Sequence, residues 1–385
     1  MLRLMRARHV FLGVTAAAMT VLAGCSAFTG DDGRNNPTEL KAFEPALSVQ
    51  AAWRAPVGSG TGIGFAPVIG RDTAYAAAAD GSVGKYDLTS GAAIWRVQLD
   101  TKLSAGVGSD GVTTAVVARD GTVIALDETG AVKWRAKATS DVSIPPIVGF
   151  GVVVVRSGDY RIQAFNAQNG ERVWSIQRPG PALSLRAPSR MILAEGLIIT
   201  AIPGGKLIAV NATSGDIAWE GIVGVPKGTS DLERVNDVVG APVILGPLLC
   251  AASYQGKLTC FDVSQGGRPA WSKDFSSTAG IASDGKYIYS PSQRDIVNAF
   301  QLDNGALAWR QDALRNRRLA GPAANGQAVV VGDSEGFVHF LSPDDGRLVA
   351  RLSLGGGPIQ APLQATLHGV LVQLGDSTLV MLTTN

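Results

Sequence analysis

The residue types that commonly carry catalysis are sparse in this chain and poorly spaced for it. Beyond the first residues the histidines are His339 and His368, on different strand-like segments, where each is expected to serve structure. No His-x-x-x-His or Cys-x-x-Cys pair presents a metal with ligands. The stretch GSGTGIGF (58–65) has the glycines of a phosphate loop, but not the Gly-x-Gly-x-x-Gly spacing, and no helix follows it. GDSEGF (332–337) contains a serine without an elbow context and reads as a hairpin turn. The chain is therefore expected to be no enzyme, with no metal and no cofactor. Cys250 and Cys260 fall on segments that read as neighbouring strands joined by a tight turn, so they form either a cross-strand disulfide or two buried thiols. Either role is structural.

The chemistry that remains is recognition. RPGPALSLRAPSR (178–190) places Leu183 and Leu185 beside Arg186, and an arginine flanked by apolar residues in a loop is hot-spot chemistry for binding another protein. GIVGVPKGTSDLERVNDVV (221–239) is a second stretch of surplus length. The competing reading has the leucines tucked under the loop and Arg186 paired locally with Glu233 or Asp237.

Such loops must be held by something regular, and the sequence supplies it. DLTSGAAIW (87–95) returns as DETGAVKW, NAQNGERVW, NATSGDIAW, DVSQGGRPAW and QLDNGALAW, with a degenerate copy, SPDDGRLVA, ending at Ala350. All seven tryptophans, Trp53, Trp95, Trp134, Trp174, Trp219, Trp271 and Trp309, lie on this ladder. A period near 40 residues containing four short strands is a propeller blade, so an all-β, eight-bladed β-propeller with four antiparallel strands per blade is expected. In the first period the strands are 66–69, 73–79, 82–88 and 93–99, with a tight turn at Asp80-Gly81. Counterparts of that turn are Asp120-Gly121, Gly158-Asp159, Gly204-Gly205, Gln255-Gly256, Glu335-Gly336 and Asp376-Ser377.

In the repeated phrase the Asp or Asn caps the turn, the Gly takes the left-handed conformation, and the Trp sits on the outer strand, wedged between blades. Burying roughly 200 Å² of indole at about 25 cal/mol per Å² gives about 5 kcal/mol gross per tryptophan. After Ala350 the chain offers strands at 360–363, 369–374 and 378–382 but no closing tryptophan strand. Residues 51–57, carrying Trp53, are expected to supply it and seal the ring. The periods ending at Trp219 and Trp271 are the long ones, 45 and 52 residues, and their surplus is the two loops described above. Both loops link an outer strand to the next inner strand, so they are expected side by side on one face.

Composition agrees with a buried, turn-rich globular chain: 46% hydrophobic residues, 47 glycines and 17% charged residues. No basic stripe appears, so no nucleic acid is expected as a partner. Arg3, Arg6 and Arg8 precede a short apolar run, which is the layout of a secretory signal. Leu22-Ala23-Gly24-Cys25 resembles the bacterial lipobox, which implies lipidation of Cys25. Ser26 stands where an aspartate would imply inner-membrane retention, so an outer-membrane address facing the periplasm is expected. The organisation is then a signal peptide at 1–24, a lipidated flexible tether at 25–39 and the propeller at 40–385. Loss of the leader takes the formal net charge from +2 to about −1.

Taken together, the lipobox, the eight blades, LSLR at 183–186, SDLERVNDVV (230–239) followed by Ala241-Pro242-Val243, and VVGDSEGFVHF (330–340) resemble the BamB family, propeller lipoproteins of the outer-membrane β-barrel assembly machinery. The resemblance spans residues 25–385. It implies a scaffold that binds BamA through its POTRA domains, meets the other Bam components through BamA, and assists nascent outer-membrane proteins. Leu183, Leu185, Arg186 and Asp237 match the family's BamA-binding positions, while Val239 stands where a second acidic residue is usual. A quinoprotein dehydrogenase of the pyrroloquinoline quinone type and a general peptide-binding propeller are the rival readings.

Overall fold

Val152–Arg156 reads VVVVR and Thr114–Ala118 reads TAVVA, each almost wholly buried, with none of the in-and-out alternation of a sheet that has one wet face. Such strands need a neighbouring sheet on both sides. The computed structural model describes residues 35–180, 183–184, 189–367 and 369–384, and supplies those neighbours: eight four-stranded antiparallel sheets arranged as the blades of a propeller ring. Blade 1 is Val68–Ile69, Thr73–Ala77, Ser82–Asp87 and Ala93–Gln98. Blades 2 to 7 repeat this order from inner to outer strand. In blade 8, Val49–Pro56 pairs antiparallel with Thr378–Thr384, placing Trp53 opposite Met381, and Gly369–Gln373 and Gln364–Thr366 follow inward.

Two local expectations need correction. The inner strand of blade 8 begins at Gln364 and not at 360–363, because Pro362 has no N–H to give a ladder and the amide of Leu363 donates instead to Gly321 O, 3.1 Å away. Glycine and aspartate also do not always carry the left-handed residue of the second-to-third-strand turn. In blade 3 it falls on Tyr160 (φ 62) and not on Gly158 or Asp159, and in blade 5 on Gln255 (φ 48).

The repeated phrase has a geometry that joins each blade to the next. Asp87 Oδ1 accepts from the amides of Thr89 and Ser90 at 3.2 and 2.7 Å, and Asn211 Oδ1 from Thr213 and Ser214, both at 3.0 Å. The glycine that follows does not meet the tryptophan of its own phrase. It meets the tryptophan of the preceding blade: Gly91 lies on Trp53, Gly130 on Trp95, Gly170 on Trp134 and Gly215 on Trp174. A Cβ at Gly170 (φ +75) would stand 2.7 Å from Trp134 Cδ2. Gly170→Ala is therefore expected to destabilise by about 2–3 kcal/mol, combining left-handed strain with overpacking. Gly111→Ala, at φ +95 with nothing within 4 Å, should show the strain alone, about 1 kcal/mol. Thermal melts of the two variants side by side check this.

The seam is completed by a hydrogen bond. Indole Nε1 donates to a backbone carbonyl of the next blade at Trp53 (Leu88 O, 3.0 Å), Trp134 (Ala167 O, 3.0 Å), Trp174 (Ala212 O, 2.9 Å), Trp219 (Gly267 O, 3.3 Å), Trp271 (Leu302 O, 2.8 Å) and Trp309 (Pro343 O, 2.7 Å). Trp95 is the exception, its Nε1 buried without a partner.

Cys250 and Cys260 face each other across the second and third strands of blade 5 and are joined by a disulfide, with Cα atoms 4.0 Å apart. Residues 38–48 run along blade 7, where the amides of Ala46 and Leu47 donate to Val349 O at 2.8 and 3.1 Å. Leu40 and Leu47 pack on the adjoining cores.

Candidate functional site

Strands within a blade alternate in direction, so the turns joining second to third strands and the connections between blades emerge on the same face. On that face the long connections after blades 3 and 4 come together. They meet at their ends: Ser189 bridges Gly240 in parallel, and the amide of Arg190 donates to Gly240 O at 3.0 Å. Between them lies a groove lined by Asp141, Arg156, Tyr160, Leu183, Ser189 and Asp237, so it carries residues from both connections and from the blade 3 turn.

Leu183 is half exposed, at 50%. Its neighbour Ser184 accepts a hydrogen bond from the Tyr160 hydroxyl at 3.0 Å, which ties the loop to blade 3. Asp237 is buried at the groove floor, where Oδ1 accepts from the amide of Gly204 at 3.4 Å. Arg156 donates to Ala201 O, and burial pulls its guanidinium pKa down to about 10, with the charge of Asp237 opposing that shift. The floor is thus an Arg/Asp couple, and the half-exposed Leu183 stands over it. That combination suits a polar anchor surrounded by water-excluding contact.

Of the residues singled out in the sequence, Leu183 and Asp237 share this groove; Leu185 and Arg186 lie outside the described residues, as do Cys25 and His368. Glu233, a candidate partner for Arg186, is engaged within its own loop: it accepts from the amides of Ser230 and Thr229 at 3.0 and 2.9 Å, and these bonds hold its carboxyl down to about 2. Val239 is wholly buried in Val238–Leu245 and contributes no polar contact. Sequence reasoning missed Arg156 and Tyr160. The available signal was an arginine ending the apolar run VVVVR, a charge placed where the strand leaves the core. His339 is buried against Asp333 on blade 7, and GDSEGF forms the turn between Val329–Gly332 and Phe337–Leu341. Among the described residues no group of three or more His, Cys, Asp or Glu side chains is placed to hold a metal.

Comparison with known proteins bears on this geometry. A family model described as outer membrane protein assembly factor BamB matches residues 79–311 and 293–385. A protein of that name from Bordetella pertussis is 60% identical over 97% of this chain and 96% of its own length. The crystal structure of BamB from Moraxella catarrhalis superposes with a TM-score of 0.80 at 25% identity, covering 87% of this chain and all of that one. A quinohemoprotein alcohol dehydrogenase from Comamonas testosteroni matches with a TM-score of 0.64 at 14% identity, which is a likeness of fold.

Proposed function

This chain belongs to the BamB family of outer membrane protein assembly factors, and on that premise we propose that it is a non-catalytic scaffold of the β-barrel assembly machinery. It is lipid-anchored through Cys25 at the periplasmic face of the outer membrane. It binds the POTRA domains of BamA through Leu183, Leu185, Arg186 and Asp237, meets other Bam components through BamA, and assists nascent outer-membrane proteins. The observation that carries the reading is the meeting of the two oversized connections at one groove, where exposed Leu183 lies beside a charged floor. A scaffold that repeats everywhere else departs from repetition here, and a binding surface is the usual reason for such a departure. Arg186 supplies forked donors to partner oxygens while the leucines exclude water around them.

Arg186→Glu is expected to weaken co-purification with BamA by roughly thirtyfold or more, since hot-spot losses run at about 2–4 kcal/mol. The melting temperature should stay at the wild-type value because Arg186 belongs to the surplus residues outside the repeated blade phrase. Binding retained at wild-type strength would sink the assignment of this groove.

A further inference from the structure

Away from the groove, blade 7 contains a buried polar cluster built around a histidine. His339 has no solvent exposure; its Nε2 is 2.9 Å from Asp333 Oδ2, and its Nδ1 is 3.4 Å from Arg351 Nε. A guanidinium N–H can only donate, so Nδ1 is the acceptor and the single ring proton sits on Nε2, donated to Asp333. Arg351 also donates from Nη1 to Lys41 O at 3.1 Å and lies over the Phe43 ring, 5.1 Å from its centroid. On the other side of Asp333, Arg317 donates from Nε to Asp333 Oδ2 at 2.7 Å and from Nη1 to Thr38 O at 2.9 Å, and it pairs with Glu335. Behind them Asp295 accepts from the amides of Arg318 and Leu319. Both arginines that face the imidazole therefore hold residues 38–43 by the backbone.

We propose that His339 is a proton-operated catch for residues 38–48: a proton on Nδ1 sets an N–H against the Nε–H of Arg351, expels that side chain, and frees the segment from blade 7. The electrostatics agree in sign. Burial lowers the His339 pKa below its ordinary 6.5, Asp333 opposes the shift, and Arg351 and Arg317 add to it. The folded state thus favours the neutral ring. Stability from this site is fully present above the unfolded value and is lost as pH falls through the folded one. Once freed, the segment would add up to roughly 35 Å of reach to the N-terminal arm. On the lipid anchoring proposed above, that reach sets how far the propeller can stand from the membrane, although the catch itself does not depend on the anchor.

Hydrogen exchange of the full chain tests the catch. After correction for intrinsic rates, protection at the amides of Thr38, Ala46 and Leu47 is expected to fall roughly tenfold between about pH 8 and about pH 5, while amides within Val329–Gly332 keep theirs. In His339→Gln, whose side chain stays neutral, the fall should vanish. Arg351→Met should lose protection at the same three amides at both pH values with the melting temperature nearly unchanged. Wild-type protection that does not vary with pH, or an equal fall in His339→Gln, overturns the proposal. Should the histidine variant fail to fold, wild-type protection persisting in Arg351→Met would overturn it independently.

Discussion

Replacing Trp134 by alanine is expected to lower the unfolding free energy by about 3–5 kcal/mol, while the same replacement at Trp95 costs roughly half as much. The difference comes from what each indole does at its seam. Trp134 is 8% exposed, packs near Phe165 with ring centroids 6.3 Å apart, covers Gly170, and donates to Ala167 O. Its removal leaves a cavity and also an orphaned carbonyl. Trp95 is only partly buried and makes an edge contact with Tyr75 at 6.4 Å, and its Nε1 already lacks a partner. Removing it takes away packing but also removes an unsatisfied donor, so the net loss is smaller. Urea unfolding of both variants with the disulfide intact gives the comparison. Equal losses would show that the indole hydrogen bond does not distinguish the seams.

The tryptophan ladder was readable in the sequence because it is a period, and a period survives ignorance of every contact. Blade number, strand order and the Asx-type turns all followed from it. The link from Gly170 back to Trp134 was not readable, since the phrase writes Gly170 next to Trp174, and only the ring's geometry hands the glycine to the earlier blade. The same holds for the site. Leu183 stood out because it lies in surplus residues that break the period, and Asp237 through the family resemblance, whereas Arg156 and Tyr160 sit at ordinary repeat positions and become visible only when two connections fold over them. Residues 38–48 straddle the expected border between tether and propeller, and the blade period assigns them no strand. Their attachment depends on Arg317 and Arg351, about 300 positions away, and a local pattern carries no such information.

The largest electrostatic effect should come from Asp333→Ala, which is expected to destabilise the propeller by about 3–5 kcal/mol, the range for breaking a buried ion pair from one side. Asp333 has no exposure and Arg317 only 2%, so loss of the carboxylate leaves a guanidinium in the interior with the partly exposed Glu335 as its remaining anion. The amides of Glu335 and Phe337, each 2.9 Å from Asp333 Oδ1, lose their acceptor at the same time. Burial alone would raise the Asp333 pKa, but hydrogen bonds from His339, Phe337 and Arg317 outweigh it and hold the value below 3.8. The wild-type advantage over Asp333→Ala should therefore persist above that value and shrink as pH falls below it. Removing both charges separates desolvation from attraction: in Asp333→Ala with Arg317→Met no stranded cation remains, so the double variant should be more stable than Asp333→Ala alone. A double variant whose loss equals the sum of the two single losses would mean that the pair contributes nothing as a pair, and that Asp333 matters only as the cap of its turn.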